Sequence, residues 1–329
     1  MKKTLCLVLC MCLLFLSLSF TTFCAEDNEL DILTYTVLDD GTAEISNYDS
    51  LNPEFTVPSE IDGYTVTSIG KKAFKDCNAL KKVTLPDTIT KIDNQAFDKC
   101  TKLNTVNFSG SLETLGYRAF GGCKALKTIE LPNNLKVIGN NAFAGCQNLT
   151  TVVIPDSVDT IGNSAFMDCA SITTLTIGNG NISIGELAFG WCLKLTELTL
   201  GSNTKSIAAN AFVACDALKT LTILSKDCVI FDDKSTLPEN STIICYKNST
   251  ADFYANKYEH KTLYIELGDT DIDGNISVMD ATTIQLYIVR EVTLTNEQLL
   301  LADVDNDSNI SVMDATQIQR YVARIITEF

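Results

Sequence analysis

Ala119-Phe120-Gly121-Gly122-Cys123-Lys124-Ala125-Leu126-Lys127-Thr128-Ile129-Glu130-Leu131-Pro132 decides the fold, because versions of it recur along the chain. The Ala-Phe pair ends at Phe74, Phe97, Phe120, Phe143, Phe166, Phe189 and Phe212, each 23 residues after the last and with no insertion. Three residues beyond each Phe stands Cys77, Cys100, Cys123, Cys146, Cys169, Cys192 or Cys215. Three further on stands Leu80, Leu103, Leu126, Leu149, Ile172, Leu195 or Leu218. In the run that follows, alternate residues such as Val83 and Leu85, or Ile129 and Leu131, have the period of a strand with one buried face. Pro86, Pro132 and Pro155 stop that strand. The return path carries a second apolar marker (Ile69, Ile92, Leu115, Ile138, Ile161, Ile184, Ile207), then the Ala-Phe pair, which reads as a short turn of helix. A fixed period of this length signals stacked coils that bury a continuous core. The expected architecture is a right-handed solenoid of seven 23-residue repeats.

Strands of successive coils lie about 4.8 Å apart, so seven coils make a sheet on the order of 30 to 35 Å across. Its outward positions are predicted to hold Thr84, Asn107, Glu130, Val153, Thr176, Thr199 and Thr222, beside Lys82, Thr105, Thr128, Thr151, Thr174, Glu197 and Thr220. Threonine is favoured on any exposed strand, and neither ladder offers the aromatic platform a sugar ring stacks on. Trp191, the one tryptophan, reads as a semi-exposed filler in the slot before Cys192, with a binding residue at the edge as the alternative. Equivalent cysteines on parallel coils have side-chain vectors poorly set for bridging. They read as buried thiols donating to backbone carbonyls. Cys228 and Cys245 stand outside the ladder, and a bridge between them across the end cap is left open.

This 23-residue pattern resembles the BspA-like family of leucine-rich repeats, which carries the same Ile-Gly, Ala-Phe, Cys and Leu-x-x-Ile-x-Leu-Pro elements. The resemblance covers roughly residues 55 to 225. Leu30 to Val57, with a turn at Asp40-Gly41, reads as strands capping the first coil. Ile243-Ile244 and a helix from Ala251 to Tyr258 read as the cap of the last.

The amino terminus, Met1-Lys2-Lys3 followed by an apolar stretch from Leu5 to Phe20, has the order of a secretory signal peptide with cleavage near Cys24-Ala25-Glu26. The expected product is secreted and extracellular, without a membrane span. The formal charge of −16 argues against a nucleic-acid partner. Free thiols in an exported protein suggest an anaerobic habitat.

From Leu267 the composition turns acidic, with eleven acidic residues against Arg290, Arg320 and Arg324. Two 12-residue segments account for it. Oxygen donors stand at the positions a calcium loop uses: Asp269, Asp271, Asp273, Asn275, Ser277 and Asp280 in the first, and Asp303, Asp305, Asp307, Asn309, Ser311 and Asp314 in the second. Ile276 and Ile310 are expected to pair the loops in a short β-bridge. Asp at position 12 and the duplicated loop-plus-helix resemble the type I dockerin family, a small all-α module of two half-EF-hands. The resemblance implies two Ca²⁺ ions and, as partner, the cohesin module of a scaffoldin. Carried over position by position, the cohesin face would be Val278, Met279, Gln285, Leu286 and Arg290 in one half, and Val312, Met313, Gln319, Arg320 and Arg324 in the other. Ser308 departs from the glycine pattern set by Gly274, at a position that makes a sharp turn. Between Ile276–Arg290 and Ile310–Arg324 eleven of fifteen positions are identical. Either half therefore offers nearly the same face, with recent duplication lacking functional symmetry as the alternative.

The chain thus divides, in expectation, into a signal peptide (1–25), an N-terminal cap (26–57), leucine-rich repeats (58–225), a C-terminal cap (226–266) and a dockerin (267–329). His260 is the one histidine, so neither a Ser-His-Asp nor a Cys-His catalytic pair is supported. The reading is a secreted, non-catalytic binding protein docked on a cellulosome-like scaffold, its solenoid contacting a protein, glycan or cell surface. A scaffold-independent adhesin is the alternative, and a polysaccharide hydrolase a more distant one.

Overall fold

The structure, a computed structural model, describes residues 20–23, 32–272, 275–305 and 309–329. Two compact units result. The first runs through Lys219 and takes in Cys228–Ser241; the second comprises Thr220–Asp227 and Thr242–Phe329.

The first unit is a β-solenoid. Each coil places one short strand in each of two parallel stacks. In one stack Lys82–Thr84 pairs with Thr105–Asn107, and Thr128–Glu130 with Thr151–Ile154 and Thr174–Ile177. The other runs from Tyr64–Ile69 through Lys91–Ile92 and its 23-residue equivalents to Val229–Ile230. Every pairing is in register, Thr128 against Thr151 and Thr151 against Thr174, so equivalent side chains form straight rows. The predicted outward ladders face solvent to varying degrees, with Val153 48% exposed; Thr222 departs from them and is buried. Ahead of the coils, Ile32–Val37 and Ala43–Asp49 form the expected antiparallel pair around the Asp40-Gly41 turn. Of the expected signal peptide only Phe20–Phe23 is described, as a strand antiparallel to Ile32–Val37; the rest, with the expected cleavage position, lies outside the described residues.

The phenylalanine rows are the core. Rings from Phe74 to Phe212 stack with successive centroids 4.7 to 5.7 Å apart and planes within 19° of parallel. Tyr48 and Phe55 extend the stack at its amino-terminal end. Each such pair adds about 0.5–1.5 kcal/mol beyond area burial.

The expected turn of helix at Ala-Phe does not form. Alternate N–H groups bond to the next coil, none to the residue four back: Phe97 N–H donates to the Ala119 carbonyl at 2.7 Å, Phe120 to Ala142 at 2.7 Å and Phe143 to Ala165 at 2.8 Å, while the Ala N–H between closes on the residue three back, as Ala119 on Gly116 at 3.2 Å. Two left-handed residues per coil shape this turn, for example Gln95 and Lys99, or Leu187 and Trp191. Trp191 therefore fills a left-handed slot and is 42% exposed.

Each ladder cysteine donates its S–H to a carbonyl of the preceding coil: Cys100 to Phe74 at 3.0 Å, Cys123 to Phe97 at 3.2 Å, Cys215 to Phe189 at 3.1 Å, and Cys77 to Tyr48 at 3.4 Å. Among the described residues neither the ladder cysteines nor Cys228 and Cys245 form a disulfide, so no bridge closes the end cap. Burial pushes the Cys77 thiol up to about 11 and Cys146 to about 12, and raises Cys123 and Cys169 far above the ordinary value.

In the second unit, strand Thr220–Ile223 pairs with Thr242–Cys245, and that with Thr262–Tyr264. Helix α1 (Thr250–Lys257) starts on Ser249, whose hydroxyl accepts the Asp252 N–H. Three further helices follow: α2 (Val278–Ile288), α3 (Asn296–Ala302) and α4 (Val312–Val322). They enclose a small core of Ala281, Ile284, Ala302, Val304, Ala315 and Ile318. Gly268, in the left-handed region, lies under the Phe329 ring, where an added Cβ would sit 2.8 Å from ring carbon. Leu301 turns away from that core and packs with Leu224 and Ile265.

Two outcomes are expected. Phe143→Ala, in mid-ladder, should cost about 3–5 kcal/mol in urea unfolding. Because burial raises the thiol pKa in the folded state, an unfolded chain ionises first: stability should be complete below about pH 8.5 and fall as pH rises beyond it. Urea midpoints measured from pH 7 to 10.5 check the slope, and thiol reagents at pH 8 should label the ladder only after denaturation.

Candidate functional site

Asp269 follows directly on the Gly268 turn, and Asp280 is the third residue of α2. A loop of chain therefore begins and ends on the same point. The two are brought together by Ser277, the N-cap of α2, whose hydroxyl accepts the Met279 N–H at 3.0 Å. In return the Ser277 N–H donates to Asp280 Oδ2 at 2.7 Å, completing a capping box. Asp280 Oδ1 accepts from the Asp271 N–H at 3.1 Å and from the Thr270 hydroxyl at 3.2 Å. Fully buried, Asp280 is locked by both its oxygens.

The second loop repeats the device. Asp314 Oδ2 accepts the Ser311 N–H at 2.8 Å and Oδ1 accepts the Val304 N–H at 3.0 Å. Ser311 caps α4 through the Met313 N–H at 3.0 Å. The first ligand position, Asp303, is the C-cap of α3.

Oxygens of Asp269, Asp271 and Asp280 lie within 4.8 Å of one another, and those of Asp303, Asp305 and Asp314 do likewise. Three carboxylates so close repel each other unless a cation or protons intervene. An all-oxygen set suits a hard divalent ion such as Ca²⁺ or Mg²⁺ rather than a soft one. The residues fit the metal their spacing predicts. Asn275 and Asn309 stand exposed on the loops, Ser277 and Ser311 are half-buried, and Asp273 and Asp307, with Gly274 and Ser308, lie outside the described residues. Ile276 and Ile310 form no bridge between the loops; both pack against the helical core. Thr270, whose hydroxyl reaches Asp280, and the double role of the two serines as caps were not read from spacing, though Ser-x-x-Asp is itself a capping signature.

All ten residues of the expected docking face are exposed. Val278, Met279, Val312 and Met313 are 55 to 61% exposed, unusually bare for apolar side chains in one small module. Arg290 and Arg324 follow the C-caps of α2 and α4 in left-handed conformation, at φ 65° and 58°. There each N–H closes back on its helix, Arg290 to the Tyr287 carbonyl and Arg324 to that of Tyr321. Glycine is the usual occupant of such a position. Arginine in both copies spends conformational energy to place a guanidinium at each helix end.

His260 is buried and stacks on Tyr254 with centroids 5.7 Å apart. Among the described residues no helix is long and apolar enough to cross a membrane.

A family profile described as the BspA type Leucine rich repeat region matches in six copies over residues 54–173 and 159–250, and one described as the Dockerin type I domain matches residues 267–323. Among solved structures, a T. pallidum leucine-rich repeat protein is 28% identical, with 70% of this chain and 94% of that one covered and a TM-score of 0.51. A leucine-rich repeat protein from Bacteroides ovatus ATCC 8483 is 26% identical, with 72% and 67% covered and a TM-score of 0.54. No curated protein sequence matches. Both matched families are non-catalytic modules. With overlapping repeat matches over more than half its length, the chain belongs to the BspA-type leucine-rich-repeat family and ends in a type I dockerin domain.

Proposed function

We propose that the chain is a secreted, non-catalytic component of a cellulosome-type complex, held on its scaffold by a calcium-dependent contact between its dockerin and a cohesin, with the solenoid displayed as an interaction module. The observation that carries this reading is the pair of convergent carboxylate clusters, each built into the first turn of the helix that bears half of the docking face.

Calcium supplies a divalent charge that accepts six to eight oxygens. Asp280 and Asp314 link that charge to helix order, because each closes its helix's capping box and its loop at once. Asp269 and Asp271, and Asp303 and Asp305, bring the remaining negative charge. Val278 and Met279 then present bare apolar surface beside the site, and Gln285, Leu286 and Arg290 continue it along α2. Val312, Met313, Gln319, Arg320 and Arg324 do the same on α4. Leu286 against Arg320 is the one mismatched pair, and it biases which half a cohesin prefers. The free thiols along the solenoid fit an anaerobic, extracellular setting.

Titrating calcium into the full chain should raise helix content in far-UV dichroism and enable capture on immobilised cohesin, both reversed by chelator. Asp280→Ala should weaken the first site about tenfold or more and fray α2, leaving the second site measurable by calorimetry. Unchanged helicity and equal capture in chelator would refute the coupling.

Arg290→Gly together with Arg324→Gly should raise the module's stability by about 1–2 kcal/mol, since glycine is unstrained in the left-handed region, while lowering cohesin affinity. Either change alone should leave most capture intact if both faces serve.

A further inference from the structure

When the coils are stacked in register, six lysines of the first three gather in one segment. Lys81, Lys82, Lys99, Lys102, Lys124 and Lys127 all fall in the segment that turns from the cysteine row into the outward-facing strand, on three successive coils. The stacking is fixed by backbone bonds. Lys99 N–H donates to the Gly121 carbonyl at 2.7 Å, the Asn104 N–H to the Lys81 carbonyl at 2.9 Å, and the Thr150 N–H to the Lys127 carbonyl at 2.9 Å. Lys82 lies 4.0 Å from Glu54; the other five are exposed and form no ion pair among the described residues. Asp76 is the single acid in these slots of the three coils. On the fourth coil the same slots hold Gly145, Gln147, Asn148, Thr150 and Thr151, without charge.

Such a corner on a chain of net charge −16 is a local reversal of sign. Exposed charges separated by more than about 8 Å are screened at physiological salt, so a polyanion at the corner meets the lysines and little of the acidic remainder. We propose that this corner is a binding surface for a carboxylated polysaccharide, a polyuronate chain lying across the first three coils.

Three features select that chemistry. Each of the three coils contributes two lysines, and the coil spacing of about 4.8 Å is comparable to the rise of one sugar residue, so a linear polymer with regular carboxylates meets cations on every coil it crosses. The cations are all lysines, compact charges suited to single carboxylates; the bidentate fork that favours phosphate is absent from these slots. No aromatic side chain stands there to stack a nucleobase. Between the lysines lie Asn78, Thr101 and Asn104, amide and hydroxyl groups suited to sugar hydroxyls, with Asn78 held by the Thr101 hydroxyl at 2.5 Å. The inference rests on the reading of the solenoid as the displayed interaction module and names its ligand class.

The test is affinity electrophoresis of the full chain through gels containing sodium polygalacturonate, fully methyl-esterified pectin, polyphosphate or single-stranded DNA, at low and raised salt. Polygalacturonate should retard the protein, with retardation weakening as salt rises, and the neutral ester should not. The triple reversal Lys99→Glu, Lys102→Glu and Lys124→Glu should weaken retardation about tenfold or more. The control reversal of exposed Lys194, Lys205 and Lys219 should leave it unchanged. Far-UV dichroism and melting confirm that both variants fold. Equal retardation of the corner variant, equal retardation by the neutral ester, or tighter binding to polyphosphate or DNA would each overturn the assignment. Capture on cohesin is measured in parallel: a wild-type chain that is captured but not retarded by polygalacturonate refutes the corner alone, and one that is retarded but not captured refutes the docking reading alone.

Discussion

No coil of this solenoid can satisfy its own backbone. Every second N–H group of the Ala-Phe turn, that of the Phe among them, is spent on a carbonyl of the next coil, and the strands on either side bond to neighbours in the same register. That constraint forbids insertions: one extra residue would move a phenylalanine off the ring stack, a cysteine off its carbonyl and a strand out of register together. Seven uninterrupted periods of 23 residues are what the constraint looks like in the primary structure. It also explains the cysteines. A small side chain that is apolar in bulk and still able to donate weakly to the Phe carbonyl of the coil before it suits a position with no room for a larger donor.

The solenoid was legible in the sequence because its signals are periodic, and periodicity survives ignorance of geometry. The alternating apolar residues of the strands, the phenylalanine row and the spacing of the carboxylates in the two loops all belong to this kind. The turn around Ala-Phe was misread as helical for the complementary reason. Two adjacent apolar residues after a glycine look alike in a helical turn and in a left-handed one, and the deciding fact, a hydrogen bond to a residue 22 positions on, has no local trace. Left-handed Lys72, Gln95 or Leu187 gave no glycine to signal it. Ile276 and Ile310 show the same limit: their equivalence was plain, but whether they pair with each other or with the helical core depends on packing that spacing does not encode. The run Leu299-Leu300-Leu301 likewise has no period to assign its last member a side.

The two modules solve opposite electrostatic problems. In the acidic one, like charges are gathered where backbone N–H groups and helix starts can hold them, and the cluster is stable only as part of a larger charge balance. In the solenoid, lysines and carboxylates are interspersed over successive coils. Asp98 shows the charge balance within the core: nearly inaccessible, it is held by Arg118 at 3.0 Å and Lys75 at 3.5 Å, one charge from the coil that follows and one from the coil before.

Leu301 gives the second unit a mechanical property. The helix that carries it separates the two calcium-loop halves, its Ala302 is sealed into the helical core, and Leu301 is seated with Leu224 and Ile265 among residues of the terminal strands. A pull applied to α2 or α4 therefore loads those strands directly, through apolar packing and the Gly268 N–H bond to the Leu301 carbonyl, before any slack can be drawn out. Within the second unit the helices and the strands Thr242–Cys245 and Thr262–Tyr264 thus share one load path, with Leu301 as the joint between them.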